Sequence, residues 1–148
     1  MSRALHFEDL EVGTETETDS RTVTEADVVA FAGLSGDYNP LHVDAEFART
    51  TPFGERIAHG LLGLAIASGL VSRTGAIEGT TLAFLATEWR FTAPIKLGDT
   101  ITVRSRVADK RESSKPDRGV VTFAVQVVNQ RSEVVQEGTQ TLLMKRRP

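Results

Sequence analysis

The chain has 148 residues, 40% hydrophobic and 25% charged, the size and composition of one globular domain spanning residues 1–148. Its formal net charge of -3 repels a phosphate backbone, so nucleic acid is not an expected partner. The absence of cysteine excludes disulfides, thiolate metal sites and cysteine nucleophiles, and a cytoplasmic location is the expectation.

The first nine residues, MSRALHFED, turn acidic before any apolar run develops and do not read as a secretory leader. His6 reads as a surface residue. Residues 15–23 alternate weakly and are rich in threonine, which suggests one strand. Thr24, with Asp27 at the third helical position, predicts an N-cap and a helix through Val28, Val29, Phe31 and Ala32 that stops near Gly33. Residues 33–44 read GLSGDYNPLHVD. Gly36, Asp37, Asn39 and Pro40 there predict a tight, locally hydrogen-bonded loop carrying both Asp37 and His42. Residues 60–71, GLLGLAIASGLV, are apolar on every face of a helical wheel yet fall short of the roughly 18 residues that span a bilayer. They predict a helix surrounded by protein, with no membrane partner.

Four segments with strand character follow. Residues 80–92 carry Leu82, Phe84, Trp89 and Phe91, and both Trp89 and Phe91 read as packing residues. In residues 99–107, Ile101, Val103 and Val107 oppose Thr100, Thr102, Arg104 and Arg106; residues 119–129 and 133–145 alternate in the same way. Breakers at 93–98, a polar link at 112–118 and a short one at 130–132 suggest an antiparallel meander. Lys145, Arg146 and Arg147 read as a solvated tail without function. The layout is α+β: a sheet curled around a central helix, its remaining side closed by other segments or by another subunit.

A carboxyl and an imidazole on one ordered loop can exchange protons at neutral pH, so Asp37 and His42 are candidates for general acid–base chemistry. Residue types alone leave a second reading open, with Asp37 as a turn-former and His42 as a satisfied structural histidine. Residues 31–48, FAGLSGDYNPLHVDAEFA, closely resemble the signature segment of the R-specific enoyl-CoA hydratases, also called hydratase 2 or MaoC-like dehydratases. The aromatic Phe31, Ser35-Gly36-Asp37, Asn39-Pro40-Leu41-His42, Asp44 and Phe47-Ala48 stand in the expected order. The resemblance continues through Ile57-Ala58-His59-Gly60, Phe91-Thr92-Ala93-Pro94-Ile95 and Gly98-Asp99.

The resemblance implies a single hot dog fold, an antiparallel sheet wrapped around a long central helix. It also implies a homodimer, or a dimer of dimers, built by joining sheets, with acyl pockets near the subunit interface. Asp37 and His42 match the pair that activates the water attacking C3 of a trans-2-enoyl-CoA, giving (3R)-3-hydroxyacyl-CoA, or that runs the reverse dehydration. Gly60 matches the place where backbone N–H groups stabilise the enolate oxygen. Asn39 would order the loop, Ser68 would hydrogen-bond the aspartate, and His59 would be structural. No metal or redox cofactor is expected, the CoA thioester being the substrate. Three alternatives stay in view: dehydration of 3-hydroxyacyl groups on acyl carrier protein, a thioesterase, and a non-catalytic acyl-CoA-binding module. Against the thioesterase, residues 59–72 contain no Asp or Glu. Residues 75–79 read as a flexible loop that bears on acyl length.

Overall fold

Thr24 opens the first helix, α1 (Glu25–Ser35), through a capping box: its hydroxyl accepts the Asp27 N–H, and the Asp27 carboxylate accepts the Thr24 N–H. The helix does not stop near Gly33. It runs to Gly36, whose φ of 77° is left-handed and which ends the helix without the penalty a side chain would carry. Asn39 then caps α2 (Pro40–Val43) and Asp44 caps α3 (Ala45–Arg49). His42 therefore stands on a helical turn, not in the loop expected. Pro40 occupies the first helical position, where its missing N–H is no loss.

The central helix is α4 (Gly60–Arg73). Leu62, Ile66, Ala67 and Leu70 pack against Ile101, Val103, Val125, Val127 and Val135 of the sheet, each large aliphatic side chain contributing roughly 1.5–3 kcal/mol by leaving water. Within the single chain the helix is left open along one stripe. Leu61 is 62% exposed, and Ala65, Ser68 and Gly69 are exposed on the same side.

The structure is a computed structural model describing residues 3–148; Met1 and Ser2, part of the stretch read as no leader, lie outside the described residues. The strands are β1 (Glu15–Glu17), β2 (Arg21–Thr22), β3 (Thr81–Phe91), β4 (Thr100–Glu112), β5 (Arg118–Val128) and β6 (Val134–Lys145). They form one antiparallel sheet of order β1-β4-β5-β6-β3, with β2 also on β4. Only β4, β5 and β6 make the expected meander. The breakers at 93–98 carry the chain across the sheet, so β3 pairs with β6 and becomes an edge. The single strand expected at residues 15–23 is two short ones. Sheet and helix together are the hot dog fold in an α+β layout.

A second apolar cluster, Phe7, Leu10, Val107, Val121, Leu142 and Met144, is covered by the N-terminal 3-10 turn Phe7–Asp9. The basic C-terminus closes over that turn instead of extending as a free tail. Arg146 Nε donates to Glu8 Oε1 at 2.8 Å, and Arg147 pairs with Asp9. His6 is half-buried, its backbone N–H donating to the Asp9 carboxylate at 2.9 Å. Among the described residues, no helix is long and apolar enough to cross a membrane.

Candidate active site

The turn between α1 and α2 is built from short side chains that replace helix hydrogen bonds. Ser35 Oγ donates to the Phe31 carbonyl at 2.7 Å and accepts the Asp37 N–H at 3.1 Å. The Asn39 N–H donates to Asp37 Oδ1 at 3.1 Å, and Asn39 Oδ1 accepts the Leu41 N–H at 3.2 Å. Asn39 thus holds the Asp37 carboxylate with its backbone and the start of α2 with its side chain. Asp37 is exposed, whereas His42, one turn later, is 9% exposed.

His42 Nδ1 lies 2.7 Å from the Ile57 carbonyl oxygen. A carbonyl only accepts, so Nδ1 carries the proton and Nε2 of the neutral ring presents a lone pair. His59, 3% exposed, donates from Nε2 to the Asp37 carbonyl at 2.9 Å, while its Nδ1 is buried without a partner. The two imidazoles stack at 3.9 Å between centroids and 27° between planes, with Phe31 against the far ring at 4.9 Å. One carboxylate oxygen of Asp37 and one nitrogen from each histidine fall within 4.8 Å of one another, the donor types that hold a divalent metal. Each histidine already spends one nitrogen on a backbone carbonyl, which leaves His42 Nε2 and His59 Nδ1 as the nitrogens free for other partners.

Gly60 begins α4 beside this cluster. The Leu62 and Gly63 N–H groups both reach the His59 carbonyl, at 3.1 and 3.3 Å. Those of Gly60 and Leu61 have no protein acceptor among the described residues, and they lie at the positive end of the helix. A Cβ at residue 60 would come within 2.7 Å of the Phe91 ring, so any larger residue there would have to displace that ring. Ser68 makes no hydrogen bond to Asp37 within the single chain. It sits on the exposed stripe of α4, about 12 Å along the axis from Gly60. Sequence reasoning missed Ile57 and Ser35. Ile57 acts only through its carbonyl, which leaves no trace in residue type, whereas Ser35 was visible in the Ser35-Gly36-Asp37 motif. A cavity of about 770 Å³ on the face of the sheet turned away from α4 is lined by Arg90, Arg104, Arg106, Glu17, Glu88 and Glu137 and touches neither Asp37 nor His42.

The family model described as MaoC like domain matches residues 8–129. The chain belongs to the MaoC-like domain family. It is 33% identical over 142 residues to the (R)-specific enoyl-CoA hydratase of Rhodospirillum rubrum, covering 96% of this chain and 93% of that one. It is 43% identical over 112 residues to the 3-hydroxybutyryl-CoA dehydratase of Methylorubrum extorquens, a match that spans 72% of this chain and 66% of that relative's length. The crystal structure of a monoamine oxidase regulatory protein from Archaeoglobus fulgius superimposes with a TM-score of 0.91 at 38% identity, over 98% of this chain and 97% of that one. The MaoC-like chain is thus a hydro-lyase of the hydratase and dehydratase class.

Proposed function

We propose that the protein adds water to a trans-2-enoyl-CoA to give a (3R)-3-hydroxyacyl-CoA, and runs the reverse dehydration, with Asp37 and His42 as the acid–base pair. The observation that carries this reading is the tautomer lock: the Ile57 carbonyl holds the His42 proton on Nδ1, which leaves Nε2 as the acceptor of a ring clustered with the Asp37 carboxylate. In the forward direction the pair holds one water. Its oxygen bonds to C3 as a proton passes to the pair, and electrons of the C2–C3 double bond move onto the thioester oxygen. The unpaired N–H groups at Gly60 and Leu61 stabilise that enolate, and the pair returns a proton to C2 and recovers its starting form. No redox group or metal enters the balance, and the CoA thioester is the only other molecule required.

The working form in this reading is a homodimer. Edge strand β3 leaves Leu82, Phe84, Leu85 and Phe91 between 41% and 53% exposed, and Leu61 on α4 is open as well. A second copy covering them would complete the acyl pocket that a single chain lacks, and would enclose the open stripe of α4. Acyl-CoA metabolism in the cytoplasm is the corresponding setting. The decisive assay follows the loss of conjugated-thioester absorbance with crotonyl-CoA and longer trans-2-enoyl-CoAs, then oxidises the product with dehydrogenases of known R or S specificity. Product consumed only by the R-specific enzyme is expected; S product, or no hydration across the series, would reject the reading.

A further inference from the structure

Gln136 lies on β6 and is only 2% exposed. Its Oε1 accepts the Trp89 indole N–H at 3.0 Å, and its Nε2 donates to the Gly60 carbonyl at 3.0 Å. An indole N–H only donates and a carbonyl only accepts, so the amide has one satisfiable orientation. The first turn of α4 is fitted to it: a Cβ at residue 63 would collide with the Gln136 amide, and one at residue 60 with Phe91. A fully buried amide that touches the start of the central helix is more than filler for the core. It fixes one peptide unit at the edge of the candidate active site.

That unit is the plane joining Gly60 and Leu61. Its carbonyl end accepts from Gln136, and its other end is the unpaired Leu61 N–H. In a trans peptide, fixing the carbonyl direction fixes the N–H direction. Hydrogen bonds in a chain also polarise one another, so donation to the carbonyl makes the N–H at the far end a better donor. Trp89 polarises Gln136 in the same sense.

We propose that Gln136, supported by Trp89, is a positioning residue that aims and strengthens the Leu61 N–H as a second donor to the thioester oxygen, beside the N–H of Gly60. The proposal rests on the hydration reading. Removing a whole oxyanion donor costs about 10²–10³ in rate, and a donor left in place but loosely aimed should cost about tenfold.

The test uses the full chain with Gln136→Met, which removes both hydrogen bonds at similar volume, and Trp89→Phe, which removes only the outer one. Two experiments are run: steady-state hydration of crotonyl-CoA, read as kcat and KM, and the shift to longer wavelength of bound cinnamoyl-CoA, whose conjugated carbonyl reports polarisation. The expected result for Gln136→Met is a kcat about tenfold lower, a KM within about twofold, and a smaller wavelength shift; Trp89→Phe should fall between it and the wild type. Wild-type kcat and wavelength shift in a folded Gln136→Met would overturn the proposal, reducing the residue to a satisfied core amide. If that variant does not fold, Trp89→Phe decides on the same two readings, and unchanged values overturn it. A wild type that shifts the cinnamoyl spectrum but hydrates nothing would instead overturn the hydration reading, while loss of the shift in Gln136→Met would still support the positioning role.

Discussion

The imidazoles of His42 and His59 stack at 3.9 Å, and each is tied by one nitrogen to a backbone carbonyl: His42 to Ile57, His59 to Asp37. His59 therefore touches both members of the candidate pair, His42 by its face and Asp37 through the main chain. Losing the His59 donor should loosen Asp37 without removing it, and small misplacements of this kind cost up to about a hundredfold in rate. His59→Phe, which keeps a flat ring but not the donor, should lower kcat about 10- to 100-fold. His59→Gln, whose amide nitrogen reaches about as far as Nε2, should recover part of that loss. Equal kcat in wild type and His59→Phe would restrict His59 to core packing.

The clip between the chain ends responds to pH in a defined direction. The Arg146 guanidinium, hydrogen-bonded to Glu8, holds that carboxyl down at about 2, with the Arg147 N–H adding to the effect. The folded pKa lies below the unfolded value of about 4.3, so the stabilisation is present above that value and is lost as the pH falls from about 4.3 toward 2. The pair is solvent-exposed and screened, and its effect should shrink in high salt. Thermal unfolding should show a melting temperature that declines below about pH 4.5 in wild type and declines less in Glu8→Gln. Superimposable pH profiles would exclude the clip as a source of acid sensitivity.

Gly138 on β6 faces Trp89 across the strand pair, and a Cβ there would run into the Glu88 carbonyl and the Trp89 backbone. Backbone yields less readily than a side chain. Gly138→Ala should cost about 3 kcal/mol, the upper end of ordinary overpacking, measured by chemical denaturation. A cost below about 1 kcal/mol would mean that β3 shifts easily against β6.

Edge strand β3 gives a test of assembly. Leu85 is 48% exposed on a strand whose outer edge has no neighbour in a single chain. Leu85→Lys places a charge on that edge, a device that natural sheets use to block pairing. Sedimentation should show a dimer for wild type and a shift toward monomer for the variant, with activity falling in parallel. A dimer unaffected by the charge would place the subunit contact elsewhere.

Much of this organisation is legible in the sequence. The Thr24 and Asp27 capping box, the apolar helix beginning at Gly60 and the three alternating strands β4 to β6 are local patterns, and each appears with its ends within a few residues of the expected ones. Misreadings arose where a residue's meaning depends on distant partners. Pro40 reads as a breaker but serves as a helix start, and Gly33 reads as a stop although the left-handed turn falls at Gly36. The place of β3 depends on a pairing with β6 some fifty residues away, which periodicity does not encode. Nothing local marks Gln136; its partners, Trp89 and Gly60, are 47 and 76 residues distant. Asp37, Asn39 and His42 were visible because their turn is local, whereas the Ile57 carbonyl that fixes the His42 tautomer was not.

The measurement that bears most directly on catalysis by Asp37 and His42 is crotonyl-CoA hydration by wild type, Asp37→Asn and His42→Ala, each confirmed as folded by circular dichroism. Rapid hydration by wild type and a loss of at least about a hundredfold in both variants is the predicted result, the scale of removing a positioned acid or base. A folded variant of either residue that retains wild-type kcat would contradict the assignment and move the chemistry away from this turn.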